Sequence, residues 1–482
     1  MLKISKDLFT AWNDANLLYC HWKSNEHLLP GLNGETDLDV LLSRDDKEQG
    51  EVLLHTLDFL QCKSQYGARY PDVDDWIGFD KETGSLIHLH LHYRIVTGHK
   101  SMKEYSLLWT DMALRTRVLN EEYGVYTMEP NLEMVTLYTR IGLKADFLNL
   151  IRCKMGKFKF PKDTQREIDW LKQRIDKEKV KELLNTYYGD NAAAVFTIMQ
   201  MDKIDSAAYQ QMRRIAETTF KKCRRIKLFV RAREVRFFIY QRYLRQLVQR
   251  IKPIMSKKVP VSEKGLTIAF LGQDGAGKTT ITKNLIKWWH WKMDVKYVYL
   301  GSGDNYISWK KKLSQKLPSK GVFKLFRFLL TLTDIRDVTK KAYRNILTAE
   351  KYASKGGLVV YDRYPQLDYP GICDGPKIRL RLQEKLGQGL LSKMLMYLAD
   401  SEEKNIKRIV AHHPDVVIKL ILPPEESIRR KPQEKLEAVK QKHEIVKSLE
   451  FKGSDVYTID ATMPFDEELI MIKNIIWQHI QK

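Results

Sequence analysis

Apolar positions along this 482-residue chain follow three different rhythms. Over residues 1–130 the apolar runs are short. Asp37 to Ser43 (DLDVLLS) becomes apolar on both faces towards its end, and Ile87 to Ile95 (IHLHLHYRI) alternates as a half-buried strand should. Over 131–255 glycine is scarce and apolar residues recur at helical spacing, as in LEMVTLYTRIGLKADFLNLI and REIDWLKQRIDKEKVKELL. Pro253 and Pro260 bracket a polar linker, IMSKKV. Over 264–482 apolar runs at 266–271, 296–300, 357–361, 415–422 and 455–459 alternate with helical patterns. That alternation predicts a parallel five-stranded sheet wrapped by helices, an α/β architecture. The expectation is an α/β domain over 264–482, an α+β domain over 1–130, and a helical region over 131–255.

Charge sharpens this division. Residues 1–130 hold 13 Lys and Arg against 21 Asp and Glu; residues 131–262 hold 30 against 13, and residues 263–482 hold 39 against 26. Residues 221–252 carry 12 Lys and Arg and one acid, Glu234, interleaved with Phe229, Phe237, Phe238, Tyr240 and Tyr243. Such a stretch can cover neighbouring domains, meet nucleic-acid phosphates, or lie on an anionic membrane. Five scattered cysteines, with no C-x-x-C pair, predict free thiols. The first residues have no long apolar core, and no apolar run approaches the ~20 residues of a membrane span. The sequence therefore predicts a soluble cytoplasmic protein, and a homo-oligomer is expected.

Candidate chemistry centres on Gly272-Gln273-Asp274-Gly275-Ala276-Gly277-Lys278-Thr279-Thr280, which fits the phosphate-cradling loop G-x-x-x-x-G-K-[ST]. A buried strand precedes it and an amphipathic pattern, Ile281 to Trp289, follows. In that context glycines turn backbone N–H groups towards phosphate oxygens, and the helix N-terminus adds its positive dipole end. Lys278 would reach the β/γ-phosphates and Thr279 would hold Mg²⁺. A second candidate is Asp362-Arg363-Tyr364 at the end of the run Gly357 to Tyr361. It offers a carboxylate for Mg²⁺ and a guanidinium fork for an acceptor phosphate. A third is Arg429-Arg430-Lys431, whose cations could neutralise charge on a transferring phosphoryl group. Each also has a plainer structural use: a glycine turn, a surface ion pair, or a basic helix end.

The three sites in this order, with Ile459-Asp460-Ala461 and Phe465-Asp466-Glu467-Glu468 after them, resemble the thymidylate kinase family. The resemblance covers about 264–482. It implies a nucleoside-monophosphate-kinase fold with ATP and Mg²⁺ as cofactors. It also implies Lys278 and the loop amides at the donor phosphates, Thr279 and Asp362 at the metal, Arg363 at the acceptor phosphate, and Arg429 and Arg430 in the lid. It stops on the acceptor side. Tyr299 to Asp304 (YLGSGD) stands where that family has an R-E-P-G-G-T segment. Gln366 to Pro370 (QLDYP) stands where it has a Ser/Ala-Tyr-Gln stretch, and Leu271 stands where it has an acid.

In the first domain, Asp37 and Asp39 fall on one face of a strand, where they could share Mg²⁺ ions. With Ser24 upstream they resemble the D-x-D of the polymerase-β-like nucleotidyltransferases. Lys23 stands at that family's glycine, and His90 where its third carboxylate is expected. His88, His90 and His92 share one strand face, which suits either metal ligands or simple solvent exposure. The function expected is an ATP-dependent phosphotransferase whose acceptor is a nucleotide or another phosphate-bearing small molecule. Two readings stay open beside it: a triphosphate-dependent switch in a nucleic-acid-binding or defence assembly, and a bifunctional nucleotidyltransferase and kinase.

Overall fold

The computed structural model describes residues 1–64, 70, 72–99, 102–144, 147–226, 257–262, 264–301, 308–318, 320–382 and 390–482. Contacts cluster into two compact units, Met1–Lys258 and Val259–Lys482.

The first unit is built on a mixed sheet. Its strands are β1 (Tyr19–His21), β2 (Asp37–Leu42), β3 (Leu60–Lys63), β4 (Val73–Asp80), β5 (Ser85–His92), β6 (Val118–Asn120) and β7 (Val125–Thr127), in the order β3-β4-β5-β2-β1-β7-β6. Helix α1 (Lys3–Asp14) buries Leu8, Phe9 and Trp12 against one face. Beyond the sheet come α2 (Pro130–Leu143), α3 (Lys162–Lys172), α4 (Lys177–Tyr188), α5 (Ala192–Gln200) and α6 (Ser206–Thr219). Pro130 occupies the first turn of α2, and the Glu129 carboxylate accepts the Leu132 N–H at 3.0 Å, a cap for that helix. Every residue of α2 from Asn131 to Leu143 is buried, because the other helices pack around it. One apolar cluster runs from Cys20 and Trp22 through Leu132 and Tyr138 to Met212 and Phe220, joining sheet and helices.

The second unit is the α/β architecture that the apolar rhythm predicts. Its strands are β8 (Leu266–Gly272), β9 (Val295–Tyr299), β10 (Leu358–Asp362), β11 (Val416–Ile421) and β12 (Asp455–Asp460). They pair in parallel in the order β9-β10-β8-β11-β12. Five residues of β10 are buried without a break, as a strand covered on both faces requires. Its helices include α7 (Lys278–Trp289), α8 (Val322–Ala353), α9 (Leu390–Val410), α10 (Pro424–Arg430), α11 (Leu436–Ser448) and α12 (Phe465–Gln481), with shorter ones at Trp309–Lys316 and Ile378–Leu382. The central β8 ends between β10 and β11, so the chain leaving it opens at the carboxyl edge of the sheet, where ligands of open α/β folds bind.

Candidate functional site

The loop from Gly272 to Gly277 turns sharply off β8 into α7. Gly272 has φ 155°, and a Cβ there would stand 2.7 Å from the Leu420 carbonyl oxygen. Gly277, φ 83°, caps α7 in the left-handed region that glycine tolerates best. Lys278 is 8% exposed, and its amine donates to the carbonyls of Gly272 and Gln273 at 2.7 and 2.8 Å. Burial, then the nearby Arg363 charge, lowers its pKa to about 8. Ala276 is buried, whereas Thr279 and Thr280 are exposed in the first turn of α7.

Asp362 closes β10 directly beside this loop, because β8 and β10 are paired with Phe270 opposite Asp362. Its Oδ2 accepts from the Thr279 hydroxyl at 3.3 Å and the Tyr297 phenol at 2.8 Å. Its Oδ1 is buried and has no hydrogen-bond partner among the described residues. A carboxylate with one orphaned oxygen, next to a hydroxyl, is a hard-oxygen donor set that fits Mg²⁺. Tyr297 was not among the residues the sequence singled out. Burial and its bond to Asp362 raise its pKa, so it remains a donor. The alternation of Tyr297 and Tyr299 on β9 was its one sequence signal.

Arg363 adopts φ 71°, an unusual backbone for a side chain of this size. That turn aims its guanidinium across the loop, 3.7 Å from Asp274 and 3.7 Å from Asp374. Asp274 is also held by Lys442 on α11 at 2.7 Å. Burial opposes ionisation of Asp274, but the bond and charge of Lys442, with Lys278 and Arg363, outweigh it and lower its pKa. These cations line a cleft of about 310 Å³ with Gly272, Lys278 and Lys377. A second cleft, about 710 Å³, lies among α7, β9 and α8 and is lined by Thr279, Lys283, Tyr297, Tyr299, Lys341 and Asn345.

The two arginines of α10 differ. Arg430 is drawn against the loop, donating to the carbonyls of Gly275 at 3.3 Å and Ala461 at 3.2 Å. Arg429 projects outward and pairs only locally, with Glu426 at 2.7 Å. Ser427, fully buried, ties α10 to the loop by donating to the Asp274 carbonyl at 2.6 Å.

In the first unit the register sets Asp39 opposite His90, and His90 opposite Asp75, across β2, β5 and β4. The His90 ring reaches Asp39 at 3.3 Å through Nδ1 and Asp75 at 3.1 Å through Nε2. His88 lies 2.7 Å from Asp37, and His92 lies 3.3 Å from Asp39. A third carboxylate therefore does join Asp37 and Asp39, but as Asp75, one strand farther out than expected. The histidines are not solvent-facing either: His88 and His92 are buried, because β5 is covered on both faces.

Ligand atoms of Asp37, His88 and His90, and of Asp39, His90 and His92, lie close enough to hold one ion. Basic groups already stand there, with Lys23 at 2.7 Å from Asp39 and Lys258 at 3.0 Å from Asp75. Burial disfavours a charged His90, yet bonds to Asp39 and Asp75 outweigh it and raise its pKa. His92, more deeply enclosed, is lowered to about 3. A cavity of about 260 Å³ adjoins, lined by Trp22, Lys23, Tyr70, Lys103 and Lys144. Of the basic stretch 221–252, residues beyond 226 lie outside the described residues; Arg224 bonds the Tyr105 hydroxyl and Arg225 pairs with Asp72.

No family model matches the chain. It is similar to two proteins of Escherichia coli K12, each named an uncharacterized ATP-binding protein. YghR is 27% identical over 221 residues, spanning 42% of this chain and 83% of YghR. YghS is 27% identical over 221 residues and 88% of its own length. Among solved structures, deoxyadenosine kinase from M. mycoides with bound dATP aligns over 43% of this chain and 98% of that one, at 16% identity and a TM-score of 0.27. The chain thus resembles ATP-binding proteins over less than half its length, and it carries a P-loop at the carboxyl edge of a five-stranded parallel sheet.

Proposed function

We propose that the second unit is an ATP- and Mg²⁺-dependent phosphotransferase that moves a γ-phosphoryl group to a phosphate-bearing small molecule, a nucleotide in the first instance. The observation that carries this reading is the convergence of Lys278, Thr279, Asp362 and Arg363 around one loop end. The similarity to proteins named as ATP-binding supports the donor. Lys278 gives up two backbone carbonyls to reach the donor phosphates. The loop amides and the α7 dipole hold their oxygens. Thr279 and Asp362 would hold Mg²⁺, which when bound neutralises charge on the phosphates. Arg363, aimed by its left-handed backbone, grips the acceptor phosphate. Arg430 steadies the loop, and Arg429 would have to leave Glu426 to swing over the transferring group. Catalysis on this reading is positioning and electrostatics.

For the first unit we propose a ligand-holding role and no nucleotidyl transfer, because Lys23, Lys258 and His90 already compensate Asp39 and Asp75. Pyrophosphate release from a nucleotide that disappears in Asp39→Asn would overturn this. The kinase reading is tested with labelled ATP, Mg²⁺ and a panel of nucleoside monophosphates and sugar phosphates. A phosphorylated product formed by the wild type and not by Lys278→Ala supports it. No product from any acceptor, or equal product from Lys278→Ala, would reject it.

A further inference from the structure

The first turn of α8 and the Leu390 end of α9 form an apolar tip that the phosphotransferase reading leaves unexplained. The two helices run in the same direction. Thr339 meets Asn405 at 3.5 Å, Arg408 stacks over Tyr343 at 5.6 Å, and Leu332 shares a core with Leu395 and Leu398. Val322 and Leu390 therefore lie towards one end of the pair. There Val322, Phe323 and Phe326 are 85%, 51% and 48% exposed, and Leu390 and Tyr397 are 87% and 64% exposed. Successive helical positions turn by about 100°, so exposure at every position from 322 to 326 covers the whole circumference. The first turn of α8 thus stands clear of the body, and packing begins only at Phe328 and Leu329.

Charge accompanies this tip. Residues 310–327 hold seven Lys and Arg and no acid. Lys316, Lys320, Lys324 and, on α9, Lys393 are exposed. Lys310 is tied to Asp337 farther along α8. The N-terminus of α8, with Gly321 before it, adds a positive dipole end.

We propose that this tip docks on an anionic lipid surface, with the α8 first turn and Leu390 inserted among the headgroups and the lysines facing lipid phosphates. Apolar and aromatic side chains ringed by lysine are the composition of interfacial helices, which sink roughly 5–10 Å into the headgroup boundary. A protruding turn of five residues, at 1.5 Å each, is about 7 Å tall. No described helix is long and apolar enough to cross a membrane, so the contact is peripheral. A second copy of the chain is a poorer occupant, since a two-fold interface would set the same cations against each other.

The test is co-sedimentation of the full chain with vesicles of phosphatidylcholine, alone or with about one-third phosphatidylglycerol, at low and high salt. Binding is expected only to the anionic vesicles. Phe323→Ser/Phe326→Ser/Leu390→Ser should shift the lipid requirement about tenfold or more at either salt. Lys316→Gln/Lys320→Gln/Lys324→Gln should weaken binding mainly at low salt. Circular dichroism shows whether both variants are folded, as expected for exposed positions. Wild-type binding by the folded apolar variant would assign the attachment elsewhere on the chain and overturn the proposal. So would absence of vesicle binding, or a wild-type dimer in sedimentation velocity that the apolar substitutions dissociate.

Discussion

If Lys278 serves a triphosphate, binding must be coupled to a proton. In the protein alone, burial and then Arg363 bring its pKa from the ordinary 10.5 to about 8. A polyanion in the loop compensates the buried charge and returns the pKa towards its ordinary value. Below pH 8 the amine is charged with or without ligand, and little proton moves. Between 8 and 10.5 the free protein has lost the proton that the complex retains. Uptake on binding is then about 0.1 proton at pH 7, about 0.5 at pH 8 and about 0.9 at pH 9. Affinity falls with pH in step, about tenfold weaker at pH 9 than at pH 7, or about 1.4 kcal/mol. Titration calorimetry with ATP and Mg²⁺, in buffers of different ionisation enthalpy, reads the proton count directly. Lys278→Met keeps the aliphatic stem and should abolish the uptake. ATP binding at pH 9 without uptake, or with equal uptake in Lys278→Met, would refute the reasoning. The same linkage acts on the protein alone. The unfolded chain holds the proton longer, so the lysine's burial cost of about 3 kcal/mol, full below pH 8, is relieved as pH rises from 8 to 10.5.

Three substitutions separate the other roles. Asp362→Asn keeps an acceptor for the Thr279 and Tyr297 hydroxyls but removes the anion proposed for Mg²⁺. The melting temperature should hold while transfer falls about a thousandfold, several kcal/mol, in a Mg²⁺ titration. Arg363→Gly suits φ 71°, so denaturant unfolding should stay within about 1 kcal/mol of wild type, the left-handed strain relieved being offset by glycine's entropy. Its acceptor KM should rise steeply, with Arg363→Lys intermediate because it keeps the charge without the fork. Asp39→Ala takes the partner from Lys23 and His90, and a loss of about 3–5 kcal/mol in the unfolding of the first unit is expected.

Much of this molecule is written locally. The five parallel strands follow from unbroken apolar runs, and each observed strand falls within a residue or so of its run, since a strand buried on both faces needs little beyond its own composition. The turn at Gly272 to Gly277 is likewise local, because glycine is the residue that accepts its backbone at little cost. The N-terminal strand face was legible as an alternation, but its burial was not. The covering of β5 comes from elements distant in sequence.

What surrounds the loop depended on strand order. Tyr297 reaches Asp362 across 65 residues, and Lys442 reaches Asp274 across 168. Neither pair has a spacing that a pattern could reveal. Asp75 joined Asp37 and Asp39 only because β4 and β2 both flank β5. The apolar tip exists because α8 and α9 run parallel with Val322 and Leu390 towards the same end, although 68 residues separate the two. By itself the sequence determined the periodicity of each element and the residues able to hold phosphate. Tertiary structure alone decided which of those residues meet, because side-chain chemistry sets local backbone preference while the pairing of distant segments sets distance.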